Sequence, residues 1–173
     1  MFTQLSRYLN DARTLSQLCQ TAEDLGRAHG RAKPASEHFV LAALDLPDGT
    51  ANEAFKLLAI NRTRFIAALD EQRVSALEAV GVAVTQSPTT KAAEDLLPPK
   101  GKLYEAEPSG QTLVQRLANS GCVRNGRRLL SADVLLAVSQ EVNSSASRAF
   151  HKLGISGEEL ANAASAGIMT SSG

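Results

Sequence analysis

The stretch at 34–60, "PASEHFVLAALDLPDGTANEAFKLLAI", decides the fold, because a near copy returns at 129–155 as "LLSADVLLAVSQEVNSSASRAFHKLGI". Setting Ser36 on Ser131 gives an offset of 95 residues (131 minus 36). Without a gap, that offset also pairs Leu18 with Leu113, Gly26 with Gly121, Leu41 with Leu136, Ala54 with Ala149, Phe55 with Phe150 and Ile60 with Ile155. Most pairs are apolar and fall at helix-core spacing. Register held across several helices and turns is the mark of an internal duplication. A unit that cannot cover its own apolar face buries it on a second copy.

Around this stretch the chain reads as helix. Leu15, Leu18, Cys19, Ala22 and Leu25 keep the i, i+3, i+4, i+7 spacing of one buried face. Gly26 and Gly30 act as stop signals, and Pro34 opens the next unit. Ser36 is the expected N-cap of a helix through Leu44, "LPDG" is a turn, and Thr50 with Glu53 forms a capping box. Asn61 caps "RTRFIAALDEQRVSALEAVG". In the second half, Pro108 and Ser109 open a helix through Leu113 and Leu117, Ser131 caps "ADVLLAVSQEV", and Ser156 with Glu159 forms a further capping box. The single β-like run is "VGVAV" at 80–84. The expectation is an all-α protein of two pseudo-symmetric four-helix repeats within one domain over 1–173. The first repeat covers 10–70, a linker 71–107 and the second repeat 108–167.

Bulk composition narrows the function classes. Lys+Arg and Asp+Glu stand at 18 each, and 43% of residues are hydrophobic. A balanced chain of this kind is not an electrostatic nucleic-acid binder. The basic run "RNGRR" at 124–128 lacks interleaved aromatics and reads as a solvated loop. No apolar run approaches the roughly 20 residues that span a bilayer, and no secretory signal precedes the first helix, which predicts a cytoplasmic protein without a membrane partner. Cys19 and Cys122 form no CxxC, and neither lies near a histidine at ligand spacing, so reduced thiols and no metal site are expected.

The doubled motif resembles the amino-terminal domain of Clp ATPases, the Clp-N double repeat. The likeness lies in Ser36-Glu37-His38 opening the apolar helix Phe39–Leu44, then "DLPDG", then Ala54-Phe55-Lys56-Leu57-Leu58-Ala59-Ile60. "GKLYEAEPSGQTLVQRL" at 101–117 is similar to the family's entry into its second repeat, and the likeness spans roughly 10–165. The second copy departs from the pattern, with Ser131-Ala132-Asp133 where the family has Thr-Glu-His. No G-x-x-x-x-G-K-[ST] nucleotide loop occurs, and "PPKGK" lacks the leading glycine and the hydroxyl residue. The resemblance therefore implies a stand-alone Clp-N protein without cofactor. It would be a non-catalytic protein- or peptide-binding module acting as adaptor, accessory subunit or client-recognition domain. Its partners would be Clp ATPase or protease subunits and unfolded or tagged client proteins. The alternative it implies is a regulatory N-domain of a larger Clp-type ATPase, for example a secretion-associated one, recognising one fixed partner helix.

Five residues are candidates for peptide binding. Glu37 and His38 lie in a first helical turn, where a carboxylate complements the helix dipole and a histidine packs or caps. In family members that recognise phosphoarginine clients, the Glu of this motif helps bind the modified guanidinium, and Ala132 removes that option from the second copy. Leu113, Leu117 and Val134 form an apolar stripe that reads either as core or as the lining of a groove for unfolded peptide. His29, His38 and His151 fall in no catalytic motif, so no enzyme activity is expected.

Overall fold

The computed structural model describes residues 2–79, 105–120 and 128–170, and all secondary structure among these is helical. The β-like run at 80–84, Cys122 and all of "RNGRR" except Arg128 lie outside the described residues. Helices α1 (Phe2–Ala28), α2 (Ser36–Leu44), α3 (Thr50–Leu57) and α4 (Arg62–Ala79) precede α5 (Pro108–Ser120), α6 (Ser131–Ser139), α7 (Ser145–Lys152) and α8 (Gly157–Thr170). The starts of α2 and α6, of α3 and α7, and of α4 and α8 are each 95 residues apart. Helix α4 carries through to Ala79, so regular structure occupies the first part of the expected linker.

The two central helices are short and, beyond a polar first turn, apolar on every face up to their last residues. Every residue of α2 is buried, and so are seven of the nine in α6. A helix without a polar face belongs inside, and α2 and α6 pack on each other there. The outer helices cross between the halves of the chain. α4 packs on α7, and α8 packs on α3 as well as on α6. Phe55, Phe65 and Phe150 meet where the halves join. The Phe55 and Phe150 ring centroids are 5.9 Å apart at 86°, and those of Phe65 and Phe150 are 4.9 Å apart. The Phe55–Phe150 contact is edge-on and the Phe65–Phe150 contact tilted at 37°, and neither is the face-to-face sandwich that the ring quadrupole disfavours.

Helix ends follow the expected chemistry in part. α1 runs through Gly26 and stops at Gly30, which takes φ +70°, with Arg31 N–H closing on the Gly26 carbonyl at 2.8 Å. Gly26 lies inside the helix beside Pro34, where an added Cβ would make an ordinary contact at 3.4 Å. Asn61 caps α4 through the Arg64 amide at 2.9 Å. The Ser156–Glu159 box forms, with the Ser156 amide donating to Glu159 at 2.8 Å and the Glu159 amide to Ser156 at 3.2 Å. The Thr50–Glu53 box does not form. Glu53 pairs with Lys56 on the surface, while Gly49 at φ +68° turns the chain into α3.

The crossing of α8 over α3 is tight. A Cβ added at Gly167 would lie 2.6 Å from the Thr50 carbonyl oxygen. Gly167→Ala therefore forces the helices apart and costs roughly 1–2 kcal/mol, read as a lowered urea midpoint. An unchanged midpoint would show that α8 does not seat this closely.

Candidate functional site

The helix N-termini meet in two pairs, α2 with α7 and α3 with α6. Such ends carry unsatisfied amides and partial positive charge, so abutting them is unfavourable unless acceptors are supplied. Ser144 caps its own helix α7, accepting from the Ser147 amide at 3.1 Å, and three further serine and threonine hydroxyls supply acceptors across the junctions. Ser36 Oγ accepts from the Ala146 amide of α7 at 3.2 Å and contacts Ser145 Oγ at 3.1 Å. Ser131 Oγ accepts from the Ala51 amide of α3 at 3.0 Å, and Thr50 Oγ1 accepts from the Ala132 amide of α6 at 2.9 Å. Ser36 and Ser131 are thus the first helical residues, and Ala35 and Leu130 take the cap positions.

Each junction also holds one carboxylate. At α3/α6 it is Asp48, which accepts from the Ser131 amide at 3.1 Å, the Ser131 and Thr50 hydroxyls at 2.6 Å each, and the Thr50 amide at 3.0 Å. Burial alone would raise its pKa, but these hydrogen bonds outweigh it and hold the carboxyl below the ordinary aspartate range. At α2/α7 it is Glu37, 1% exposed, which accepts from the Ser145 hydroxyl. Burial again pushes upward, and the Ser145 hydrogen bond, a backbone amide and the Arg31 charge bring the net shift downward. The 95-residue offset sets Glu37 against Ala132 and Asp48 against Asn143. The carboxylate that bonds across each junction therefore sits on a different element in the two halves.

A pocket of about 240 Å³ opens in front of Glu37. Its walls include Arg31 after α1, Gln72 and Arg73 on α4, Ser109 on α5, and Asn143 and Arg148 at α7. Arg73 Nη2 lies 3.6 Å and Arg31 Nε 4.0 Å from Glu37 Oε1. With the Gln72 amide oriented by its neighbours, it donates to the Ser145 carbonyl and accepts from Arg148 Nε, both at 3.0 Å. Arg148 is exposed and forms no ion pair among the described residues. The pocket thus presents three guanidinium groups around a carboxylate that is already engaged. Chemically this is an anion-accepting surface, since guanidinium forks match carboxylate and phosphate oxygens.

Of the five residues proposed from sequence for peptide binding, Glu37 alone lines this pocket. His38 is fully buried behind it. Its Nδ1 accepts from the Ala35 amide at 3.0 Å, its Nε2 has no hydrogen-bond partner, and the His29 ring lies 5.3 Å away. Asp133, 95 residues on, makes the equivalent reach to the Leu130 amide at 2.8 Å. Leu113, Leu117 and Val134 are 0%, 1% and 1% exposed and sit in the core, so a peptide reaches them only if α5 moves. Sequence reasoning missed Arg31, Arg73, Arg148 and Asp48. The arginines carry no local signal. The exchange of Asp48 for Asn143 beside that of Glu37 for Ala132 was the one visible sign of paired junctions. Among the described residues no helix is long and apolar enough to cross a membrane. No protein-family model and no curated protein matches the chain.

Proposed function

We propose that this chain is a non-catalytic protein- or peptide-binding module, a Clp-N-like double repeat of two pseudo-symmetric four-helix units. It serves as adaptor, accessory subunit or client-recognition domain of a Clp chaperone–protease in the cytoplasm. Support for the double repeat comes from the shared 95-residue spacing of the helix starts and from the equivalent serines, Ser36 and Ser131, each capping a helix of the other half. Support for binding rests on one observation, the pocket where Arg31, Arg73 and Arg148 surround Glu37. The polar groups there are arranged to hold rather than to react. The Ser145 hydroxyl spends its proton on Glu37, and His38 bonds the Ala35 amide instead of a serine.

Because Arg31 and Arg73 already face Glu37, a client guanidinium has to displace them. The accessible charge favours a client's acidic group instead, a side-chain or phosphoryl oxygen. Titration with peptides that differ only in one acidic, arginine or phosphoarginine residue decides between these. Saturable binding of the acidic peptide is expected, weakened about tenfold in Arg148→Gln, the loss of roughly 1.4 kcal/mol from one charge-assisted contact. Preference for the plain arginine peptide, or unchanged affinity in Arg148→Gln, would return Glu37 to the role of cation receptor. Co-elution with a purified Clp ATPase tests the partner.

A further inference from the structure

The two junctions answer their donors differently. At α3/α6, Asp48 gathers four of them: the amide and hydroxyl of Thr50 at 3.0 and 2.6 Å, and the amide and hydroxyl of Ser131 at 3.1 and 2.6 Å. The 95-residue offset sets Ser145 against Thr50, Ser36 against Ser131 and Asn143 against Asp48. At α2/α7, three of the four equivalent donors are met from within the chain. The Ser145 hydroxyl donates to Glu37, the Ser36 hydroxyl lies 3.1 Å from that of Ser145, and the Ser36 amide reaches Ser109 Oγ at 3.3 Å. The fourth, the Ser145 amide, has no acceptor among the described residues; as the first N–H of α7 it lies outside the helical ladder. Asn143 is exposed on the pocket wall, and its side chain makes no hydrogen bond among the described residues.

Beside this amide stands the pocket's uncommitted cation. Helical side chains lean toward the N-terminus, so Arg148, three residues on, reaches back over the first turn of α7. Gln72 holds it there, bonding the Ser145 carbonyl and Arg148 Nε at 3.0 Å each. The two Nη groups of Arg148 are left without a partner among the described residues. Arg31 and Arg73, in contrast, both face Glu37, and Arg73 also pairs with Asp70 at 3.6 Å. One guanidinium edge and one amide match a planar group with two acceptor oxygens. A phosphoryl group fits them less well. It brings about −1.5 to −2 charges and three oxygens, while Glu37 and Glu107 stand in the same wall.

We propose that the pocket takes a carboxylate of a partner polypeptide, seated on the Ser145 amide and the Arg148 guanidinium as Asp48 is seated on the Thr50 amide at the opposite junction. This assignment rests on the anion-accepting reading of the pocket and narrows it to one class of acid. The duplication supplies the template. Helix α3 carries its carboxylate on the chain, two residues before Thr50, and α7 has the neutral Asn143 at that position. A side-chain carboxylate and a chain end present the same two oxygens, so either source fits the seat.

The test titrates the full chain with N-acetylated peptides of one otherwise uncharged sequence. One carries a single aspartate and an amidated end, one a free carboxyl end alone, one a single phosphoserine and an amidated end, and a blank carries no charge. Backbone amide resonances report the seat. The aspartate or the free-end peptide should saturate about tenfold more tightly than the phosphoserine peptide and move the Ser145 amide proton downfield. The tighter of the two names the source of the carboxylate. Asn143→Asp, which supplies the residue found at position 48, should move the same proton downfield with no peptide present. It should also weaken carboxylate binding by about tenfold while keeping the rest of the folded spectrum. Phosphoserine bound as tightly as the carboxylates, a Ser145 amide unmoved by peptide or by Asn143→Asp, or undiminished binding in that variant would overturn this seat alone. If no charged peptide binds more tightly than the blank, the anion-accepting reading falls with it.

Discussion

Replacing Phe150 with alanine lowers the unfolding free energy by about 3–5 kcal/mol. The ring is 2% exposed and meets both Phe55 and Phe65. Its truncation leaves a void between α4 and α7 that neither helix can close, because each is also packed on α2. Against a typical total of roughly 5–15 kcal/mol, this is a large share. Phe55→Ala, at 3% exposure, should behave alike. The double variant should lose less than the two single losses combined, since the rings touch and share one cavity. Urea denaturation of the three proteins checks this. A Phe150→Ala protein within 1 kcal/mol of the parent, on the scale of a surface substitution, would mean that the rings do not form the seam.

Stability should also fall by about 2 kcal/mol between pH 7 and pH 5 through His38 alone. Burial is the main cause of its depressed pKa, which drops from 6.5 to about 4, with the neighbouring Glu37 charge working against the fall. Geometry agrees, because Nδ1 is occupied as an acceptor by the Ala35 amide and cannot take a proton without releasing it. The folded-state value lies below the unfolded one. The contribution is therefore complete above 6.5, declines as the unfolded chain takes up a proton, and reaches its limit of about 3 kcal/mol below the folded value. Glu37 and Asp48, both shifted downward, add their losses only at more acid pH, where carboxylates titrate. Glu141 has the opposite sign, since its pKa is raised and protonation relieves it. Comparing the parent with His38→Asn isolates the histidine, because asparagine can still accept from the Ala35 amide, as Asp133 does from Leu130. Urea midpoints that decline equally in both proteins would assign the acid sensitivity elsewhere.

Much of the fold was legible in the chain itself. Apolar spacing reports which face of each helix is buried, and the repeat at 34–60 and 129–155 announced helices that do begin at the 95-residue offset. Caps that act within one turn were readable too, as at Asn61 and Ser156, because donor and acceptor lie three residues apart. Periodicity does not say which helix covers a face. That α4 lies on α7 and α8 on α3 was settled by tertiary packing, as was the burial of Leu113, Leu117 and Val134 in the core.

The pocket was the least legible part, for the same reason. A hydroxyl bonds the nearest amide in space, so Ser36 serves Ala146, 110 residues away, instead of its own helix. Arg73, inside the stretch expected to be linker, reaches Glu37 because α4 stays helical past residue 71. Residue type and order therefore determined the helices and their duplication. Which charges meet Glu37, and which carboxylate answers at the opposite junction, depended on helices brought together from distant parts of the chain, since electrostatic and hydrogen-bond partners are chosen by distance in space and not by separation in sequence.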